Sequence, residues 1–341
     1  MPRTIDDRAA LDFALMLRRR WADVLYPQLR AEFDTAPAAG AIAETVHGLA
    51  SYPLFAWTER GAQQMMWRAV SDAVAADDAP EATNGPASLQ LDPELKLPAW
   101  YTGTDIHVQP GGIWSSAASA RIYELGAQLV MLGENDDYAF HRLFTATAVP
   151  AFVYRSIVDI GCGFGKSTWS LKQTFPTARV IGVDIAAPCL VLARQLSDER
   201  GLAIHFVQAD ASSTKLAAGS VDLVTATMLI HELPLDHLAA LFTEIARILQ
   251  PGGQLRILDF HATGDAFRDL AMIEHGVRNL EPFMPPMMAA DIVGMAVSAG
   301  LAGVNWQAFD ERGTGLLPDL TWPQRREWHF PWAVLSAGRP Q

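Results

Sequence analysis

The amino-acid sequence predicts an α/β fold in which helices cover both faces of a doubly wound, mainly parallel sheet. The first observation is that three apolar, β-type runs each end in an acidic residue, with helical stretches between them. These closing acids are Asp159, Asp184 and Asp210. The second observation is that the first run leads into a loop with glycine at every second position. These glycines are Gly161, Gly163 and Gly165.

The residues before this pattern are predicted to be mainly helical. Apolar side chains recur with a helical period over 5–33, and further helices are expected over 40–51 and 58–76. The basic run 18–20 is predicted to be a solvated face of the first helix.

A polar segment rich in turn-forming residues follows these helices, and we expect a linker over about 77–98. The sequence therefore predicts a helical N-terminal domain over 1–114, which serves in dimerisation or as a substrate cap. A catalytic domain is predicted over 115–341, beginning with a helix at about 116–132.

The elements of the catalytic domain follow from alternating apolar runs and helix-start signals. Five strands are predicted over 156–160, 179–184, 203–207, 221–227 and 254–260, and two closing runs over 304–309 and 328–336. Helices are expected to begin near Lys166, Pro188, Leu235 and Pro286. In such a sheet the ligand lies at the carboxyl ends of the strands, where the three acids collect.

The glycine loop indicates which kind of ligand is bound there. Glycine lets the backbone approach a ligand closely, and the next helix offers unpaired N–H groups. A dinucleotide fingerprint needs a third glycine where this chain has Lys166. This difference argues against a nicotinamide dinucleotide as the ligand. Asp184 stands about 20 residues after the loop, where an acid can accept hydrogen bonds from a ribose.

With these motifs the chain resembles the class I S-adenosylmethionine-dependent methyltransferases over roughly residues 150–338. The resemblance implies a Rossmann-like, doubly wound seven-stranded sheet with one antiparallel strand. It implies S-adenosyl-L-methionine as cofactor and S-adenosyl-L-homocysteine as product, with the glycine loop against the methionine part. Asp184 would bind the ribose, and Asp210 with Ala211 would face the adenine. The cofactor-binding residues predicted in this way are Asp159, Gly161, Cys162, Gly163, Gly165, Asp184, Ile185, Asp210, Ala211 and Thr227.

The strongest candidates for catalysis are His231 and Glu232, which follow the fourth predicted strand. A histidine that titrates near neutral pH suits the removal of a proton from an acceptor. The alternative is that Glu232 only opens the next helix, where an acid is favourable.

Three other candidates lie in aromatic segments before the first strand. Tyr138 and His141 stand before the glycine loop as candidates for a cofactor or substrate contact. The resemblance supports Tyr138, because the helix before this loop often lends a tyrosine or arginine to the cofactor in related methyltransferases; Tyr138 is equally compatible with a packed core aromatic. His107 lies in the segment 100–114, which is rich in aromatic residues. This segment is predicted either to form a lid over the site or to pack between the two domains and join them.

Three functions remain open from the sequence. The first is methyl transfer to an oxygen of a small molecule, with His231 as base. The second is transfer to sulfur or nitrogen, for instance on a small methylthio acid, by proximity without a base. The third is an inactive cofactor-binding scaffold. No tight histidine or carboxylate spacing indicates a metal, so none is predicted.

Composition narrows the partners and the compartment. The formal net charge of −12 argues against nucleic acid as a partner. No apolar run approaches the ~20 residues that span a bilayer, and the N-terminal residues lack a signal-peptide core, so we expect a cytoplasmic protein that does not bind membranes. Cys162 and Cys189 form no disulfide framework. The apolar stripes of the N-terminal helices predict a homodimer.

Overall fold

A computed structural model describes residues 4–37, 40–74, 84–133 and 136–341. The first part of the predicted linker, 77–83, lies outside the described residues. The helices are α1 Ile5–Arg20, α2 Tyr26–Thr35, α3 Ile42–His47, α4 Tyr52–Ala73, α5 Ala99–Thr102, α6 Ala117–Val130, α7 Ala139–Ala148, α8 Lys166–Thr174, α9 Ala187–Glu199, α10 Leu235–Ile248, α11 Ala266–Arg278, α12 Met284–Ala289 and α13 Ile292–Ser298. A π-helical turn, Trp21–Leu25, joins α1 to α2.

The strands form one mixed sheet. They are β1 Ser88–Gln90, β2 Ser156–Ile160, β3 Arg179–Asp184, β4 Ile204–Gln208, β5 Val221–Thr227, β6 Leu249–Phe260, β7 Ala302–Asp310, β8 Gly315–Leu316 and β9 Trp332–Gly338. Their spatial order is β1-β4-β3-β2-β5-β6-β9-β7-β8. The pairs among β1 to β6 are parallel, whereas β9 lies antiparallel between β6 and β7. The order reverses at β2, which confirms the predicted doubly wound α/β fold.

Within the described residues the sheet has nine strands, two more than the seven predicted. β1 lies inside the predicted linker and pairs with the edge of β4, where Ser88 Oγ lies 2.8 Å from Nδ1 of His205. β8 is a two-residue strand that turns back on β7. Both additions are too short to show a period of alternating burial, so the sequence pattern could not reveal them. They cover the two edges of the sheet, which otherwise expose unpaired backbone groups.

The N-terminal helices pack directly against the catalytic region. The Trp21 ring lies 5.2 Å from the rings of both Phe55 and Trp328, and Tyr26 packs against Phe267 of α11. These side chains belong to the same hydrophobic cluster as the buried residues of the sheet. The predicted boundary at residue 114 therefore does not separate two hydrophobic cores.

A second, smaller cluster joins α1, α4 and α6 around the buried ring of Trp67. Gly126 of α6 faces that ring, and a Cβ at this position would stand 2.1 Å from it. The close approach of α6 to α4 therefore depends on glycine at position 126. Within the described ranges, no helix combines the length and apolar character that crossing a membrane requires.

Candidate active site

The glycine loop turns sharply between β2 and α8. Gly161, Gly163 and Gly165 have φ values of +70°, +52° and +93°, a region that other residues adopt only with strain. The N–H of Gly161 donates to the carbonyl of Val183 at 2.8 Å, and the N–H of Gly163 donates to Oδ2 of Asp184 at 2.8 Å. These bonds hold the loop against the end of β3, so that bare backbone faces the space beyond the sheet.

A cavity opens at the carboxyl ends of β2, β3, β4 and β5. Seven of the ten predicted cofactor-binding residues line this first cavity: Gly161, Gly163, Asp184, Ile185, Asp210, Ala211 and Thr227. Trp100 and Tyr101, from the segment 100–114, line its opposite wall. The position agrees with the general rule that doubly wound sheets bind ligands where the strand order reverses.

Asp184 is the acid best placed to bind sugar hydroxyls. Its Oδ1 accepts from the N–H of Ala186 and its Oδ2 from the N–H of Gly163, both at 2.8 Å. Each carboxylate oxygen has a second lone pair, so both can still accept from a ligand. Burial raises the pKa of Asp184 to about 6 despite these backbone donors. Because hydroxyl donors favour the charged form, a bound ribose would stabilise the carboxylate.

The other three predicted cofactor residues lie behind the loop and do not line this cavity. Buried Asp159 accepts from the hydroxyls of Ser167, Thr168 and Thr225, and so fixes the start of α8 to β5. The Cys162 side chain is buried in the core, and burial raises its pKa well above the ordinary value. A Cβ on Gly165 would meet Trp169 at 3.0 Å, so this glycine serves packing rather than ligand contact.

A second cavity adjoins the first. Four residues line both cavities: Tyr123, Lys166, Met228 and Glu232. The walls of the second cavity are mostly apolar, with large contributions from Trp67, Phe260, Phe330 and Trp332. The N-terminal helices supply Arg18, Gln63 and Trp67, so the chain caps its own cavity.

Several buried polar atoms at the second cavity have no hydrogen-bond partner in the described part of the chain. They include Nε of Arg18, Oε1 of Gln63, both ring nitrogens of His141 and Oε2 of Glu281. Buried polar groups normally find partners, and a polar ligand would supply them here. The Arg18 side chain donates through Nη2 to the carbonyl of Val130 at 2.8 Å. Burial lowers the pKa of Arg18 to about 10. Because Arg18 is buried, the prediction that it lies on a solvated face is wrong.

Two histidines and a glutamate meet beside this cavity. Nε2 of His107 lies 3.0 Å from Oε1 of Glu232, and Nε2 of His231 lies 4.0 Å from the same oxygen. One donor atom from each residue lies within 4.8 Å of the others, so the three can hold a metal ion. We call His107, His231 and Glu232 the His-His-Glu cluster.

Carboxylates behind the cluster orient both rings. Nδ1 of His231 lies 2.7 Å from Oδ1 of Asp259, and Nδ1 of His107 lies 3.0 Å from Oε1 of Glu281. Burial lowers the pKa of His231, but Asp259 outweighs it and the net pKa is raised. Burial also opposes protonation of His107, yet Glu281 and Glu232 raise its pKa to about 10.

The loops that carry the cluster are shaped by specific contacts. Oδ2 of Asp259 accepts from the N–H groups of Leu229 and Ile230, at 3.0 and 2.9 Å, and so fixes the short 3-10 turn that contains His231 and Glu232. His107 has φ +60° in another 3-10 turn, a strained conformation of the kind that concentrates at functional sites. Glu232 faces His107, and α10 begins after Pro234, so opening that helix is not the only role of Glu232.

The two remaining catalytic candidates, His141 and Tyr138, differ in their position. His141 lines the second cavity, and burial together with Lys166 lowers its pKa well below the ordinary value, which keeps the ring neutral. Tyr138 lines neither cavity: it packs edge-on against Phe164 and Trp169, with ring centroids 5.8 and 5.3 Å away. Tyr138 therefore lies where a packed core aromatic is expected, and its ring is not on the wall of either cavity.

Sequence reasoning missed Asp259, Glu281 and the role of Lys166. Asp259 stands near the end of β6, so the same acid-after-strand signal could have found it. In the sequence Lys166 marks a helix start and replaces the third glycine of a dinucleotide fingerprint; in the structure it stands between the cavities, where burial lowers its pKa to about 8. Nothing in the local sequence marks Glu281, because its partner His107 is 174 residues away.

Known proteins share the central part of this arrangement. A family defined as "Methyltransferase domain" matches residues 157–253. Demethylmenaquinone methyltransferase of Thermus thermophilus is 37% identical over 106 residues, which cover 31% of this chain and 47% of the relative. Trans-aconitate 2-methyltransferase of Azoarcus sp. is 42% identical over 109 residues, 32% of this chain and 40% of the relative. The chain thus spans less than half the length of these two relatives.

Among solved structures, phosphoethanolamine N-methyltransferase 2 of Haemonchus contortus in complex with S-adenosyl-L-methionine aligns with 64% of this chain and 60% of its own, at 16% identity and a TM-score of 0.44. The family match lies on the glycine loop, on the three acids that close the strands and on the loop of His231. Residues 157–253 therefore match a methyltransferase domain, and over this part the chain is similar to known methyltransferases; the resemblance to the class I S-adenosylmethionine-dependent methyltransferases falls on the same residues.

Proposed function

We propose that this protein transfers the methyl group of S-adenosylmethionine, bound in the first cavity, to a small molecule bound in the second. The observation that carries the proposal is that Tyr123, Lys166, Met228 and Glu232 line both cavities. A cofactor in the first cavity and an acceptor in the second would meet beside these four residues. Alignment of two reactants can contribute up to about 7 to 11 kcal/mol to catalysis.

We further propose oxygen as the acceptor atom. A lone pair of this oxygen attacks the methyl carbon, the carbon–sulfur bond breaks, and its electron pair stays on sulfur to give S-adenosylhomocysteine. A hydroxyl must also lose its proton, and His231 is the group proposed to bring this about, either as a base or through a bound cation. The Asp259 carboxylate, which fixes the His231 ring, supports this role.

The sulfur and scaffold alternatives explain less of the site. A thioether acceptor has no proton to lose and would need no oriented histidine. An inactive scaffold would need no second cavity with unpartnered polar groups. A nitrogen acceptor remains the second candidate, because a protonated amine also has to lose a proton to Nε2 of His231.

The lining of the second cavity supports an acceptor that carries a carboxylate on an apolar body. Arg18 is a buried cation with no ion-pair partner among the described residues, and its Nε is unpartnered. A buried charge of this kind is costly unless it is paired, so an anionic group of the acceptor would stabilise it. The rings of Trp67, Phe260 and Phe330 would pack against the rest of the molecule.

The first experiment is isothermal titration with S-adenosylmethionine and S-adenosylhomocysteine. We expect micromolar binding by the wild type, and loss or strong weakening of binding in Asp184→Ala. Absence of binding to the wild type would contradict the proposed function.

The second experiment is a screen for S-adenosylhomocysteine formation with hydroxyl, amine, thiol and thioether acceptors. Each is offered as the free acid and as its matched primary amide. Turnover of hydroxy acids, with the amides poor, is the expected result. Turnover of thioethers alone would contradict an oxygen acceptor.

We also propose a homodimer. Four large apolar side chains on α1 and α4 are exposed and would be buried in such a dimer, which supports it: Phe13, Met16, Leu54 and Trp57. Light scattering at micromolar concentration tests it, and a monomer mass would contradict it. Since the helices of each chain cap that chain's own cavity, a dimer is not needed to complete the site.

A further inference from the structure

We propose that His107, His231 and Glu232 form a binding site for one divalent transition-metal ion. The three residues come from the 3-10 turn before α6 and from the turn after β5. Two ligands on a shared ion with bonds near 2.1 Å stand about 3 to 3.5 Å apart. The His107–Glu232 distance of 3.0 Å already has this value, and the other donor-atom distances, which are within 4.8 Å, would shorten when an ion binds.

The groups behind the cluster have the arrangement that metal sites require. A histidine ligand usually directs its second ring nitrogen to a carboxylate, which fixes the ring and raises its basicity. Asp259 and Glu281 occupy these positions on His231 and His107, so that both Nε2 atoms face Glu232. Oε2 of Glu281 is buried and unpartnered in the described chain, and it lies at the wall of the same cavity.

The charges also favour a cation. Three carboxylates, Glu232, Glu281 and Asp259, surround two imidazoles in a space that is mostly shielded from solvent. Without a metal, the His107 ring bridges two of these carboxylates, and an ion would displace the hydrogen bond between His107 and Glu232. Two nitrogens and one carboxylate suit Mn²⁺, Fe²⁺, Co²⁺ or Zn²⁺ better than Ca²⁺ or Mg²⁺, which prefer oxygen.

The location gives the ion a function, which rests on the proposed methyl transfer. Glu232 lines both cavities, so an ion beside it lies where the acceptor oxygen and the transferred methyl meet. A bound cation lowers the pKa of a coordinated hydroxyl, which then releases its proton to solvent and attacks as the alkoxide. In this arrangement His231 is a ligand, and direct proton removal by His231 is the alternative that the test separates.

The test uses the full, tag-free chain, which is treated with a chelator and then freed of it. Titration calorimetry with MnCl₂, CoCl₂ and ZnCl₂, together with elemental analysis after gel filtration, gives affinity and stoichiometry. We expect one ion per chain for at least one of these metals. His107→Ala and His231→Ala should bind it at least 100-fold more weakly, and Glu281→Gln about 10- to 100-fold more weakly.

His261→Ala is the matched control, because it removes a histidine that lies outside the cluster, and it should keep the wild-type affinity. Binding of S-adenosylhomocysteine and thermal melting verify that each variant is folded. Absence of stoichiometric metal binding to folded wild-type protein would overturn the inference. Wild-type metal affinity in His107→Ala and His231→Ala would overturn it as well. These measurements need no acceptor, so a failure of the proposed methyl transfer is detected separately, by the acceptor screen.

Discussion

Nδ1 of His231 lies 2.7 Å from Oδ1 of Asp259, and this contact joins the turn after β5 to the end of the neighbouring strand β6. The same carboxylate binds the backbone of Leu229 and Ile230 through its other oxygen. Asp259 therefore sets both the shape of the turn and the direction of Nε2 of His231. Because both contacts are buried, the ring is held in one orientation beside Glu232.

His231→Ala should separate catalysis from cofactor binding. We expect the rate of methyl transfer to fall by roughly 100- to 10,000-fold, the range associated with loss of a proton-transfer group. The dissociation constant of S-adenosylhomocysteine should change less than about threefold, because His231 does not line the first cavity. Product formation and calorimetry measure the two effects. His261→Ala serves as control, and a rate within tenfold of wild type would exclude an essential role for His231.

Cofactor affinity should decrease at acid pH. Burial raises the pKa of Asp184 to about 6, and Glu232 adds to the rise. Ribose hydroxyls bind the ionised carboxylate, so the dissociation constant of S-adenosylhomocysteine should be constant above about pH 7. Below pH 6 it should increase about tenfold per pH unit, as expected for one linked proton.

Calorimetry between pH 5 and 8 measures this dependence, with circular dichroism to show that the fold persists. The Asp184→Ala variant should bind weakly at every pH and show no such slope. A flat profile in the wild-type protein would mean that the charge of Asp184 does not contribute to binding.

Arg18→Gln should weaken binding of acidic acceptors only. A hydrogen bond to a charged group contributes about 1.5 to 3 kcal/mol, which corresponds to roughly 10- to 150-fold in affinity. The loss should appear for a carboxylic acid identified in the acceptor screen and be absent for its amide. Arg142→Gln, which removes an exposed arginine paired with Asp137, is the matched control. Equal losses for acid and amide would indicate that Arg18 only supports packing.

Glu59→Gln should destabilise the contact between α4 and α11. Glu59 is buried and pairs with Arg278 and His275, so its loss leaves a buried arginine without this partner. We expect the free energy of unfolding to fall by about 3 to 5 kcal/mol in urea denaturation. Glu199→Gln on the exposed face of α9 should change it by less than about 0.5 kcal/mol. A loss below 1 kcal/mol for Glu59→Gln would contradict this reading of the pair.

The same pair predicts how stability depends on pH. Although burial alone raises the pKa of Glu59, Arg278 and His275 outweigh it and the net pKa is lowered. The unfolded chain then binds this proton more readily than the folded one. The contribution of Glu59 is therefore fully present above its ordinary pKa of 4.5 and is lost as the pH falls through the lower, folded value. In Glu59→Gln this part of the acid sensitivity should disappear in urea titrations between pH 3 and 6.

The cofactor half of the site was predictable from sequence because its signals are local. A strand, a glycine loop and an acid about 20 residues later form contacts between neighbouring βα units, and Gly163 indeed binds Asp184. Position in the motif does not by itself place a residue on the wall of the first cavity. Asp159, Cys162 and Gly165 belong to the same motif but lie behind the loop: Asp159 and Cys162 are buried, and Gly165 packs closely against Trp169.

The sequence by itself determined the order of strands and helices and the glycine loop at the carboxyl ends of the strands, because hydrophobic period and glycine conformation act over a few residues. Only the tertiary structure decided the second cavity. Four residues that line this cavity are far apart in the chain, and no sequence motif connects them: Arg18, His107, His231 and Glu281. Their proximity depends on how α1, α4 and the segment around α11 pack over the sheet, and such packing is decided by long-range contacts between buried side chains.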